Sequence, residues 1–308
     1  MKYYSYKDLY VSALGLGCAQ FGQEYGIGSR GKILLEKEIQ EIIEAALENG
    51  VSFFDTAADY GKSEEWIGNI LARMHRKDLV VATKLRWVRE PEPSVEQVRH
   101  TIERSLEDSL RKLRRETLDI VYIHQQELFF QFQEIFLSVL EKARQSGYVK
   151  HVGISLYEPR QVEQALLYKE LEVFQIPYNV LNRAFEKEGT MKTLKEKGKL
   201  VVVRSVFLQG LLLLDPEELI PFFHPIKESL KNLRENVERF FRSPEEFFLG
   251  YVLRKDFGPL AVGVFSQEQL MSNLQVFRSL PGADLLRQME QFIPHLDPLY
   301  SDPRKWPK

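Results

Sequence analysis

Short apolar runs rich in Val, Ile, Leu and Phe recur along the chain, and each except the last is followed by a stretch whose apolar positions step by three and four. The runs do not alternate with polar residues, which predicts parallel strands covered on both faces, since a strand with one wet face would alternate. Eight stand out: Leu14–Gly17, Val51–Asp55, Leu79–Lys84, Asp119–Ile123, Val152–Ser155, Val173–Pro177, Lys199–Arg204 and Leu260–Val264. Between the first two, Ile39, Ile42, Ile43, Ala46 and Leu47 form one apolar stripe, and Asn49-Gly50 predicts where that helix stops. Ser94-Val-Glu-Gln97 has capping-box spacing, and Val95, Val98, Ile102, Leu106, Leu110 and Leu113 run from it down one helix face. Asp215-Pro-Glu-Glu218 and Ser243-Pro-Glu-Glu246 each offer a cap residue, a proline at the first helical position and an acid in the first turn, so each predicts a helix start. The stretch from Arg204 to Leu260 is therefore expected to hold more than one helix, while the end from Ile293 to Lys308 reads as a loop or tail.

Eight strand-helix units favour closure into a (β/α)8 TIM barrel over an open, doubly wound sheet. The chain of 308 residues has the length of one such barrel and no dividing linker, so a single α/β domain over 1–308 is expected, with extra helices between strands 7 and 8. The segment Gly15-Leu-Gly17-Cys-Ala-Gln-Phe-Gly22 lacks GxGxxG spacing and leads into no helix, so it is not a Rossmann fingerprint. With 42 basic against 44 acidic residues there is no field to draw the protein to nucleic acid or anionic lipid, and neither partner is expected. Cys18 is the only cysteine, which excludes an intramolecular disulfide and a cysteine-built zinc site and fits a reducing, cytoplasmic setting. The N-terminus MKYYSYKDLYVSALGLG has no apolar signal core, and the most membrane-like run, Leu211–Leu214, is far short of a bilayer span. Six histidines without HxH or HExxH spacing argue against a metal-dependent hydrolase, and no metal is expected.

In such a barrel, chemistry is carried by polar residues just past the strands. Four qualify: Asp55, Tyr60 five residues later, Lys84 and His124. Singly, each has an ordinary explanation: a turn or cap for Asp55, packing for Tyr60, a rim charge for Lys84, a satisfied strand-end ring for His124. Jointly they suit carbonyl reduction, which needs a hydride at carbon and a proton at oxygen. No side chain supplies the hydride, so a nicotinamide must. A free tyrosine, with a pKa of about 10, is a poor proton donor, and Lys84 is expected to lower that value by stabilising the phenolate. Asp55 would balance and orient the lysine, and His124 would hold and polarise the carbonyl oxygen.

FFDTAADYG at 53–61, ATKL at 82–85, LDIVYIH at 118–124 and VGIS at 152–155 resemble the aldo-keto reductase superfamily, in matching order and spacing from the N-terminal hairpin through Asn273. The resemblance implies a (β/α)8 fold, NADPH or NADH bound without a Rossmann domain, a small-molecule carbonyl substrate, and a catalytic tetrad of Asp55, Tyr60, Lys84 and His124. It places Gly17 and Cys18, with Ala19 and Gln20, in a loop beside the nicotinamide. Ser155 and Gln175 fall at its carboxamide, although the Asn that usually follows the serine is Leu156 here. Arg204 stands where many relatives carry an aromatic ring against the nicotinamide, and a planar guanidinium can stack similarly. Ser205, Gln209 and Gly210 fall along the pyrophosphate, and Gly263, Ser266, Gln269 and Asn273 at the adenosine end, where Ser266 and Gln269 also make a capping pair. NADP-specific relatives commonly hold the 2′-phosphate with Lys and Arg at the positions of Gly263 and Gln269, so only weak discrimination between NADPH and NADH is expected. Tyr25 and Trp306 are expected as walls of the substrate pocket. The competing reading is a cofactor-binding regulatory or channel-associated subunit with little turnover, and four intact tetrad positions argue against it.

Overall fold

The structure is a computed structural model and describes residues 1–29, 31–74, 76 and 78–307. The apolar runs form eight parallel strands: β1 (Leu14–Gly17), β2 (Phe53–Asp55), β3 (Val80–Lys84), β4 (Leu118–Ile123), β5 (Val149–Ser155), β6 (Val173–Pro177), β7 (Leu200–Arg204) and β8 (Leu260–Val262). They close in chain order into a (β/α)8 barrel, with β8 paired to both β7 and β1. Nearly every strand residue is buried, which is why the runs show no wet face.

Side chains alternate across each strand, and the alternation sorts the two layers of the core. Phe53, Val80, Ala82, Ile120, Tyr122, Val173, Leu200, Val202 and Ala261 pack together inside the barrel. Phe54, Val81, Val121, Ile154, Phe174 and Val203 join the layer beneath the helices. An antiparallel hairpin, Tyr3–Tyr6 with Leu9–Ser12, adds Leu9 and Val11 to the inner cluster at the N-terminal end. Counting outward by twos along the inner face leads to Asp55, Lys84, Gln175 and Arg204, and just past β4 to His124.

Ser94 accepts a hydrogen bond from the backbone of Gln97 and opens the helix Val95–Leu113 as its spacing predicts. Asp215 does not open an α-helix. Its side chain caps a single 3-10 turn, Pro216–Glu218, after which Leu219 and Ile220 are extended. Pro221 explains this, because a residue preceding proline is driven out of the helical region. The insertion continues through a 3-10 stretch, Pro221–Ile226, and the helix Lys227–Phe240 before Ser243 caps the helix Pro244–Lys255. The end of the chain is more ordered than a loop, with a short helix at Pro298–Ser301 and a turn at Pro303–Lys305. No helix among the described residues is long and apolar enough to cross a membrane.

Candidate active site

The inner-face polar residues form one hydrogen-bonded layer across the C-terminal end of the barrel. Lys84, buried, is in ion-pair contact with Asp55 and donates to the Thr56 carbonyl at 2.9 Å. Gln175 Nε2 donates to the second oxygen of Asp55 at 2.6 Å, and Ser155 Oγ donates to Gln175 Oε1 at 3.0 Å. Arg204 completes the layer: Nε reaches Ser155 Oγ at 3.4 Å, Nη2 the Leu156 carbonyl at 3.1 Å and Nη1 Ser205 Oγ at 3.2 Å. Strand register makes this possible, since Ser155 lies opposite Gln175, and Arg204 opposite Pro177.

Tyr60 comes from the loop between β2 and the helix Ser63–Arg73. Its backbone passes so close to Gly22 that a Cβ there would sit 1.8 Å from the Tyr60 carbonyl oxygen, so only glycine fits. Ser63 Oγ accepts from Thr56 at 2.8 Å and donates to the Cys18 carbonyl at 2.7 Å, while the buried Glu64 accepts from Thr83 Oγ1 at 2.7 Å. These bonds tie the tyrosine-bearing loop to the strand that carries Lys84. The Lys84 ammonium lies 5.1 Å from the centre of the Tyr60 ring. His124 stands edge-on to Tyr60 at 6.3 Å and to Trp87 at 5.5 Å, and its buried Nδ1 has no hydrogen-bond partner among the described residues.

Burial, followed by the charge of Asp55, raises the Tyr60 pKa, with Arg204 opposing. This corrects the expectation that Lys84 lowers it. The lysine charge is neutralised by contact with Asp55, so the pair offers the phenol little net positive field while desolvation acts in full. His124 is pushed well below the usual imidazole value by burial, then by Lys84 and Arg204, and is neutral at pH 7.

A cavity of about 340 Å³ opens over this layer. Of the residues singled out from the sequence, Gly17, Cys18, Ala19, Gln20, Tyr25, Asp55, Tyr60, Arg204, Ser205, Gln209, Gly210, Gly263 and Gln269 line it, while His124 lies beside Tyr60 outside the lining. Lys84, Ser155 and Gln175 lie in the buried layer that supports Asp55 and Arg204. Ser266 caps the helix Gln267–Arg278 by accepting from the Gln269 backbone, and Gln269 Oε1 accepts from Phe265 N at 2.8 Å. Asn273 is buried in that helix with an unpartnered Oδ1. Trp306 is not a cavity wall: it is buried edge-on against Phe223 at 4.9 Å, where it staples the chain end to the insertion. Sequence reasoning missed Gly28, Val206, Phe207, Leu213, Leu214 and Phe265 in the lining, and Trp87 beside His124. Trp87 sits in the loop after β3, so the strand-end rule could have found it. Nothing local marks the others.

The lining fits a dinucleotide. It runs from Tyr60 past Arg204 and Gly210 to Gly263, Phe265 and Gln269 at the start of the helix Gln267–Arg278, where the helix dipole favours a negative group. Gly17 and Gly263 lie backbone to backbone, a Cβ on Gly17 meeting Gly263 N at 3.3 Å, so no side chain at either position narrows the passage.

The sequence profile of the aldo/keto reductase family matches residues 13–291. The chain belongs to the aldo/keto reductase family. This aldo-keto reductase is 28% identical to L-glyceraldehyde 3-phosphate reductase of Escherichia coli, over 95% of the chain and 92% of that protein. It is 29% identical to the NADH-specific methylglyoxal reductase of Escherichia coli, over 67% of the chain and 66% of that protein. Among solved structures, the holo form of an aldo-keto reductase from Bacillus halodurans superposes with a TM-score of 0.77 at 26% identity, covering 99% of the chain and 100% of its own. This aldo-keto reductase is an NAD(P)H-dependent oxidoreductase that reduces carbonyl compounds.

Proposed function

We propose that this chain reduces short aldehydes, with Tyr60 as the proton donor and Asp55, Lys84 and His124 as its supporting set. The observation that carries the reading is Tyr60 in the cavity wall, with the Lys84 ammonium 5.1 Å from its ring centre and His124 edge-on to it at 6.3 Å. The nicotinamide, when bound, supplies hydride to the carbonyl carbon. Tyr60 gives its proton to the carbonyl oxygen, and Lys84, by pairing with Asp55, offsets the carboxylate charge that would otherwise oppose the phenolate as it forms. Neutral His124 orients that oxygen. Asp55, fixed by Gln175, keeps the lysine in place. Tyr25 packs beside Tyr60 and Trp87 edge-on to His124, so aromatic rings crowd the reacting end and favour a short substrate. Replacing Tyr60 with Phe removes the proton and almost no volume, so reduction of a reactive aldehyde such as 4-nitrobenzaldehyde should fall by about 10²–10⁴ while cofactor affinity holds. Wild-type turnover by the Phe variant would refute the assignment.

For the cofactor, Cys18, Ser155, Gln175 and Arg204 serve the nicotinamide end, Gln209 and Gly210 the pyrophosphate, and Ser266, Gln269 and Asn273 the adenosine. Both NADPH and NADH are accepted, with weak discrimination. Gly263 has no side chain, and the Gln20 amide fills the space where its Cβ would be. Lys32 reaches the Phe265 carbonyl at 3.2 Å, but it is paired with Glu38 at 2.9 Å, so its charge is largely offset at the adenosine end.

A further inference from the structure

Among the described residues that line the cavity, Arg204 is the one cation. Its edge is fully engaged, yet every partner is a neutral oxygen: Ser155 Oγ, Ser205 Oγ and the Leu156 carbonyl. Among the described residues it makes no ion pair. The other charges at the cavity cancel, because Asp55 is in contact with Lys84. Tyr157 stacks on the Arg204 guanidinium at 4.3 Å, and the same ring also carries Arg304 at 4.2 Å. Arg304 has its own carboxylates, Asp302 at 2.7 Å and Glu158 at 3.3 Å. Arg204 is thus held rigidly in place and left without a counter-charge, facing a cavity it shares with Tyr60.

The consequence rests on the reduction proposed above. A nicotinamide that delivers hydride to a carbonyl whose oxygen meets Tyr60 must lie in the cavity that Arg204 lines. The reduced ring is neutral and the oxidised ring carries one positive charge, while the rest of the cofactor is identical. An uncompensated guanidinium therefore distinguishes the two states. We propose that Arg204 makes this enzyme bind reduced cofactor in preference to oxidised, and so raises the reduction potential of the nicotinamide while it is bound.

The balance is simple. In reduction, a hydride, one proton with two electrons, leaves the ring for the carbonyl carbon, the Tyr60 proton goes to oxygen, and the ring gains one positive charge. In alcohol oxidation the same charge is discharged. Arg204 accordingly speeds release of oxidised cofactor after reduction and, within the ternary complex, favours hydride moving onto the ring. The equilibrium in solution is unchanged. Two unit charges about 6–10 Å apart at an effective dielectric near 20 shift the ratio of affinities by about ten- to a hundredfold.

The test is titration of NAD+, NADH, NADP+ and NADPH by protein fluorescence against the wild type, Arg204→Gln and Arg204→Lys. The expected result is a ratio Kd(oxidised)/Kd(reduced) that falls about tenfold or more in the Gln variant, mainly through tighter oxidised cofactor, and stays near wild type in the Lys variant. An unchanged ratio overturns the proposal. So does an equal loss for both redox forms, which would mean that Arg204 holds a phosphate or the loop. A wild type that binds none of the four cofactors refutes the reduction reading itself, whereas tight binding with an insensitive ratio sinks only the role of Arg204.

Discussion

Lys84 sits between two demands. It must neutralise Asp55, which is buried with it, and it must face Tyr60 when the phenolate forms. Lys84→Met removes both services and leaves Asp55 in a buried site without its cation, a change that typically costs about 3–5 kcal/mol. The expected outcome is a lower melting temperature together with turnover reduced by about 10² or more, read by calorimetry and single-turnover kinetics. Because burial and Asp55 raise the Tyr60 pKa, the phenol persists across neutral pH, so wild-type reduction should stay flat as pH rises through 9 and fall only beyond it. A Lys84→Met enzyme with the same pH profile and turnover would remove the coupling. At the adenosine end, Gln269→Arg should tighten NADPH selectively, since a charge-assisted bond contributes about 1.5–3 kcal/mol against about 0.5–1.5 for a neutral one. Equal Kd changes for NADPH and NADH would show that position 269 does not face the 2′-phosphate. Gly263→Lys is a poorer test by itself, because its Cβ would meet Gln20 Nε2 at 2.0 Å.

Two loops meet above the barrel. Ser205, Leu208 and Gln209 all have positive φ, a conformation costing a non-glycine residue roughly 1–2 kcal/mol, so the segment after β7 holds its shape against local preference. The loop after β1 supports it through Gly26 and Gly28: a Cβ on Gly26 would sit 2.7 Å from the Gln209 carbonyl oxygen, and one on Gly28 3.3 Å from the Gly210 Cα. Gly28→Val should part the loops and weaken binding of either cofactor by about tenfold with little change in melting temperature, since the contact lies outside the barrel core. Unaltered cofactor Kd values would show that this contact does not shape the site. Helix capping at Ser94, Ser243 and Ser266 was legible because each cap depends on residues three apart. The opening at Asp215 was misjudged because Pro221, beyond the cap motif, stops the turn.

At the scale of the whole molecule, the end of the barrel opposite the cavity is closed by charge. His151 lies between Asp8 of the hairpin at 2.7 Å and Glu172 at 2.5 Å, and Glu172 also meets Lys7 at 2.6 Å and Arg144 at 3.3 Å. Burial works to lower the His151 pKa, but the two carboxylates outweigh it and the net shift is upward. A folded-state pKa above the unfolded value of about 6.5 stabilises fully below that value and is lost as pH rises through the folded one. Glu172 runs the other way: burial opposes, yet His151 and Lys7 bring its pKa down to about 2, so its contribution is present above about 4.5 and lost as pH falls toward 2. Melting temperature should therefore decline from pH 6 to pH 9 in the wild type, and His151→Gln should flatten that decline. Parallel slopes in the two proteins would show that the cluster does not couple the hairpin to pH.

The sequence by itself determined the strands, most of the caps and the strand-end position of Asp55, Lys84 and His124, because apolar runs and capping spacings are local and survive without knowledge of partners, while Gln175 and Arg204 were reached through the family resemblance. Its motifs also carried the family. Only the tertiary structure decided what each polar group meets. The Tyr60 pKa is raised rather than lowered because burial, followed by the charge of Asp55, outweighs Arg204, and Glu64 is a buried acceptor for Thr83. Trp306 packs on Phe223, about eighty residues away in sequence, and among the described residues no carboxylate pairs with Arg204. Charge compensation, burial and loop contact are properties of neighbours in space, and in a closed barrel those neighbours come from strands far apart in the chain.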